Sequence, residues 1–144
     1  MAAARSPVVS DALADDLEQA GLRWNPVPGD QFKIKAQALS EEVFILSHMV
    51  IEAKEFDTGT VLGFNGTTEW ALDSVAKEDA LWLPREDQLR ELLGGTFVAL
   101  ESAAGGYRVR TTARGAEHAF AADRPADAYA QALLALVHRA VDPA

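Results

Sequence analysis

Between Gly94 and Asp123, three short β-compatible runs (Thr96 to Leu100, Tyr107 to Ala113 and Glu117 to Ala121) are separated only by the turn formers Ala103-Ala-Gly-Gly106 and Arg114-Gly115. Links this short cannot carry a crossover, which takes roughly a dozen residues, so the three runs must pair antiparallel as a meander. The same reasoning applies nearer the N-terminus. After the turn-rich stretch Asn25 to Asp30, Phe32, Ile34 and Ala36 alternate with Lys33 and Lys35. Val43 to Leu46 is apolar on both faces and leads into the alternation of Met49, Ile51 and Ala53, and Asp57-Thr-Gly59 then turns the chain into Thr60 to Phe64. A period of two broken by turn residues reads as a first three-stranded meander.

Helical spacing frames both meanders. Leu13, Leu17 and Ala20 follow Ser10, an N-cap residue type, and Gly21 stops the run. Thr67 is placed to cap a short helix through Trp70, Ala71 and Val75. Leu81-Trp-Leu83 is a short apolar segment, and Pro84 suits the first position of a helix that turns Leu89, Leu92 and Leu93 inward before Gly94-Gly95. Asp123 is the expected cap of the last helix, whose stripe of Ala126, Tyr129, Ala130, Leu133, Leu134, Leu136 and Val137 demands burial. The expected class is α+β: two antiparallel three-stranded meanders with flanking helices, in the order αβββα-αβββα. Residues 1–144 form one domain on this reading, which admits a division into lobes 8–76 and 81–141.

Composition narrows the function classes. A chain of 144 residues can bury a core, but 27 of its residues are alanine, which removes little area from water per side chain. Thirteen basic against 22 acidic residues give a net charge of −9, a field that repels phosphate and anionic lipid unless a local patch reverses it. There is no cysteine, hence no disulfide, thiolate metal site or cysteine nucleophile. The longest apolar runs, Val43 to Leu46 and Leu133 to Val137, fall far short of the ~20 residues of a membrane helix. The first residues carry no apolar core of a secretory signal, so the expected location is cytoplasmic.

Catalytic signatures are missing. None of the ten glycines is followed by lysine, as a phosphate loop requires, and the GxGxxG, GxSxG and HExxH patterns are absent. His48, His118 and His138 have no metal-ligand spacing, and no cofactor or metal is implied. The pairs Glu41-Glu42, Glu78-Asp79 and Glu86-Asp87 are adjacent and diverge on a helix or strand, while Glu86 and Asp87 lie four and three residues before Arg90, where they support a helix. One cationic feature stands against the acidic background: Arg108 and Arg110 share a strand face and Arg114 follows at the turn. That face offers an anion site, or simply a solvated face paired with acidic neighbours. Trp24, Trp70 and Trp82 stand near element boundaries, as core fillers or as interface anchors. The candidate binding residues are therefore Arg108, Arg110, Arg114, Trp70, Trp82 and His48.

The run from Val61 to Val75, continued by Glu78 to Leu93, Gly106 to Val109 and Ala126 to Ala130, resembles a family of short, uncharacterised bacterial proteins. Some members are labelled pilus assembly proteins of the CpaE type. CpaE proteins proper are larger ParA/MinD-like ATPases with a phosphate loop, which this sequence lacks, so the resemblance implies a compact bacterial fold and transfers no activity. Leu83 to Leu136 is also similar in layout to small phage-encoded proteins. After Pro84 the αβββα order resembles the double-stranded RNA-binding domain, but the last helix begins Asp123-Arg-Pro-Ala-Asp127 where such domains carry lysines. The leading expectation is a binding or regulatory module that acts by protein contact and is not an enzyme. Two others stay open: a small-ligand binder or small enzyme with a pocket between the meanders, and a nucleic-acid binder using the Arg108/Arg110 face.

Overall fold

A computed structural model describes residues 8–35, 43–46, 50–56, 59–64 and 74–141. The chain is α+β, with helices α1 (Asp11–Gln19), α2 (Glu86–Leu93) and α3 (Pro125–Val141) flanking antiparallel three-stranded sheets. No helix among the described residues is long and apolar enough to cross a membrane. The chain divides into two compact units, residues 1–23 with 84–144, and residues 24–83.

In the first unit, β7 (Phe97–Ala103), β8 (Gly106–Ala113) and β9 (Ala116–Ala122) form the meander expected from the turn spacing, in the order β7-β8-β9. Arg114 and Gly115 both have positive φ, 52° and 77°, the conformation a two-residue hairpin loop needs to match the strand twist. A Cβ on Gly106 would lie 2.4 Å from the carbonyl oxygen of Ala122, so only glycine lets β8 start this close to the end of β9. Helix α3 packs on β8 and β9, and α1 and α2 pack on α3. Ala126, Ala128, Tyr129, Ala130, Ala132 and Leu133 are all buried, spread around the first turns of α3. A helix covered on several sides is tolerable here because four of those six side chains are single methyl groups, which let neighbouring elements approach closely.

Two local expectations are corrected. Pro84 does not occupy the first helical position: Arg85 is the N-cap of α2, its amide donates to Gln88 Oε1 at 3.0 Å, and the Pro84 carbonyl accepts from the Val9 amide at 3.2 Å. Asp123 does not cap α3, since Ala128 N–H bonds to Arg124 O at 3.1 Å and the helix starts at Pro125. In the first turn Asp127 takes over the anchoring, accepting from the Ser10 amide at 2.7 Å and from Arg124 at 3.1 Å. Through it the start of α1 is fixed to α3 across 117 residues of sequence.

In the second unit, β1 (Gln31–Ile34) lies between β2 (Phe44–Ile45) and β6 (Ala80–Leu83), while β3 (Val50–Phe56), β4 (Gly59–Phe64) and β5 (Ser74–Ala76) form a separate meander. The expected first meander therefore contributes strands to two sheets. Leu81-Trp-Leu83 and Val75 are strand, the latter paired with Leu62, where a short helix through Val75 was expected; its start at Thr67 lies outside the described residues. Long-range pairing overrides the local pattern because Phe32 stands opposite both Phe44 and Trp82. Trp24 closes this ring cluster, 5.5 Å from Phe32 and stacked 6.4 Å from Trp82.

Asp30, 1% exposed, holds the loop that brings Trp24 in. Its Oδ2 accepts from the Trp24 indole N–H at 2.8 Å and the Val27 amide at 3.0 Å, and its carbonyl accepts from the Leu46 amide at 2.8 Å. Asp30→Ala leaves that indole N–H buried without its acceptor and is expected to destabilise the fold by about 1–3 kcal/mol. Asp30→Asn keeps an acceptor oxygen and should cost less, with urea unfolding followed by tryptophan fluorescence as the measurement.

Candidate functional site

On β8, Val109 and Thr111 are buried toward α3, and the alternation places Arg108, Arg110 and Thr112 on the opposite face. That face is already occupied by carboxylates. Glu101, the cross-strand partner of Arg108, accepts from Arg108 Nη2 at 3.1 Å and from Arg110 Nε, and Glu117 on β9 accepts from Arg110 Nη1 at 2.7 Å. The two guanidinium groups hold the Glu101 carboxyl below the usual carboxylate range, Arg110 being the stronger influence, and the hydrogen bonds that Arg110 donates to Glu117 and Glu101 raise its own guanidinium further. Two cations and two anions form a neutral lattice, so the face lacks the surplus positive field that an anion site needs.

The remaining sequence candidates are dispersed. Arg114 is exposed at the β8–β9 turn and joins no ion pair with the lattice among the described residues. Trp82 belongs to the ring cluster of the second unit, its indole N–H buried without an acceptor among the described residues. His48 and Trp70 lie outside the described residues. His118 lies on β9 with Nδ1 3.0 Å from Arg139 Nη2; because guanidinium only donates, Nδ1 is the acceptor. His138 is exposed in the last turn of α3. Among the described residues no group of three or more His, Asp or Glu side chains could hold a metal ion.

A different place gathers chemistry. A groove of about 690 Å³ opens between α2, β7 and α3, with the half-buried Phe97 and Leu100 as its apolar surface, the buried Tyr129 at its base, and Glu86, Asp87, Arg90 and Glu91 along α2. Phe97 and Tyr129 stack with centroids 5.7 Å apart, and the Arg90 guanidinium lies 4.4 Å above the Phe97 ring. Burial raises the Tyr129 phenol above its ordinary value; the nearby Arg90 charge opposes the rise and the charge of Glu86 adds to it. Burial, then the charge of Asp87, likewise raises the Glu86 carboxyl. Asp87 pairs with Arg85 at 3.1 Å, not with Arg90, and Glu86 has no ion-pair partner among the described residues. Arg85 answers Asp87, so Glu86 and Glu91 stand against Arg90, whose guanidinium is engaged over the Phe97 ring, and the groove wall keeps a small negative surplus.

Sequence reading misses this groove because it takes Glu86, Asp87 and Arg90 as mutual helix support. The aromatic residues that capture Arg90 come from β7 and α3, and no local spacing announces them. The one signal available is that α2 carries four charged residues in six positions, Glu86 to Glu91, more than its own support requires.

Two outcomes test these electrostatics. The double variant Glu101→Ala/Glu117→Ala frees Arg108 and Arg110 and should be retained on heparin at low salt, where the unaltered protein flows through. A group whose folded pKa is raised favours the fold below its unfolded pKa and loses that advantage as pH rises through the folded value. Glu86→Gln should therefore raise the melting temperature by a few degrees near neutrality, a gain that vanishes as pH falls through the glutamate range. Comparison with protein-family models, curated proteins and solved structures finds no match.

Proposed function

We propose that this chain is a binding module acting by protein contact, and that its contact surface is the groove between α2, β7 and α3, which takes a short basic segment of a partner protein. The observation that carries this reading is the pairing of an apolar, aromatic surface with a wall of carboxylates in one groove. Apolar area supplies affinity and the carboxylates supply orientation and selectivity for cationic side chains. Arg90 over Phe97 is an internal instance of a guanidinium on that ring. The overall charge of −9 steers a basic partner toward the molecule.

Two competing readings have less support. The carboxylates of Glu101 and Glu117 occupy the guanidinium groups that a nucleic-acid face would need free. The groove also falls within the size range of small-molecule sites, and Glu86 and Tyr129 are both perturbed there, which favours a small cationic ligand as the second reading.

Selection from a random peptide library on the immobilised protein separates these possibilities. Enriched peptides should carry Lys or Arg beside an apolar residue, and Glu86→Lys/Glu91→Lys should weaken their binding at least about tenfold, the loss expected from removing more than 1.4 kcal/mol of interaction. Enrichment of acidic peptides, or equal binding to the charge-reversed variant, would refute the groove as the contact surface.

A further inference from the structure

Strand β9 lies at the edge of its sheet, and its outward backbone groups have no backbone partner among the described residues. The two-residue turn makes Ala113 and Ala116 a hydrogen-bonded pair, and the alternation of an antiparallel ladder then fixes the rest. His118, Phe120 and Ala122 direct their backbone groups to β8. Glu117, Ala119 and Ala121 direct theirs, one N–H and one C=O each, to the open edge.

Protected edges carry lysine, proline, a bulge or a charge aimed outward. Strand β9 has no lysine or proline and pairs with β8 in unbroken register, whereas the opposite edge strand, β7, is bulged between Phe97 and Ala99. The two polar side chains of β9 are both drawn back onto their own chain, Glu117 by Arg110 at 2.7 Å and His118 by Arg139 at 3.0 Å. Along the edge stand alanines, the half-buried Phe120 and Glu117, whose side chain stays 56% exposed while it holds Arg110.

We infer that β9 pairs antiparallel with β9 of a second copy of this chain, about a two-fold axis at Ala119, to give a continuous six-stranded sheet. This register sets Ala119 opposite the partner's Ala119, Glu117 opposite the partner's Ala121 and His118 opposite the partner's Phe120. Every outward N–H and C=O of Glu117, Ala119 and Ala121 then meets its complement in the partner. The two Glu117 residues stand four positions apart along the strands, about 14 Å, beyond the ~10 Å screening length of 0.1 M salt. Other two-fold registers are worse, an axis at His118 opposing the two imidazoles and setting Ala121 against the partner's turn residue Gly115. An axis at Glu117 opposes the two glutamates, an axis at Phe120 sets Glu117 against the partner's Asp123, and an axis at Ala121 shortens the ladder. The pairing uses the edge opposite β7 and does not depend on the groove.

Light scattering of the full chain should give twice its 15.5 kDa mass. Ala119→Pro removes an outward donor and no bond to β8, so it should yield a monomer with unchanged far-ultraviolet circular dichroism. The absence of cysteine makes a second test clean. Ala119→Cys should give a disulfide-linked dimer on mild oxidation, because opposed Cα atoms in a hydrogen-bonded antiparallel pair are about 5.5 Å apart, within disulfide range. Ala121→Cys, whose copies would be about 14 Å apart, should not. A monomeric unaltered protein, a folded Ala119→Pro variant that still dimerises, or cross-linking at 121 but not at 119 would each overturn the inference.

Discussion

The burial of α3 is the constraint on which the first unit depends. The helix covers one face of β8 and β9 and receives α1 and α2, so its own surface must be apolar around much of its circumference. Fully burying Leu133 and Tyr129 contributes on the order of 1.5–3 kcal/mol each. The alanines contribute less by area, but they set the distances at which everything else packs. Alanine richness, which lowers the capacity of a core, is here what allows a three-sided contact. The bond from the Ser10 amide to Asp127 then fixes α1 against the same helix, so distant parts of the chain close one core.

That core sorts the charges. One face of the β7–β9 sheet is closed by α3, and on the other Arg108 and Arg110 are neutralised by Glu101 and Glu117. Exposed pairs of this kind add little to stability. Their consequence is electrostatic: with the strongest local cluster of arginines cancelled, the surplus of carboxylates sets the long-range field. Along α2 the surplus is local as well, because Arg90 turns to the Phe97 ring and Glu86 has no counter-ion among the described residues.

The parts of the fold legible in sequence are those fixed by local geometry. The β7–β9 meander follows from two short turns, α1 and α2 from their apolar spacing and glycine stops, and the outward direction of Arg108 and Arg110 from a period of two. Pairing across long separations is not legible. Nothing in the alternation around Phe32 says that its neighbours are Phe44 and Trp82, 12 and 50 residues away, and the helix expected through Val75 yields to pairing with Leu62. The groove is hidden for the same reason: its charges lie on one helix, but Phe97 and Tyr129 reach it from elements separated in sequence by two strands. The arginine face was legible as a pattern, while its Glu101 and Glu117 partners become visible only once the register is known.

The two surfaces argued for this chain lie at opposite sides of one sheet, the groove beside β7 and the open ladder at β9. A two-fold pairing through β9 leaves both grooves unobstructed by the pairing itself and places them on the outer strands of one extended sheet. On the proposed function, two copies of the acidic groove joined through β9 would bind a partner with repeated basic segments far more tightly than either groove alone, provided the linker between segments spans the distance. For a small domain whose single groove offers modest apolar area, duplication through a strand edge is the least costly physical route to useful affinity, since it adds no new core and requires only backbone groups that the fold already leaves open.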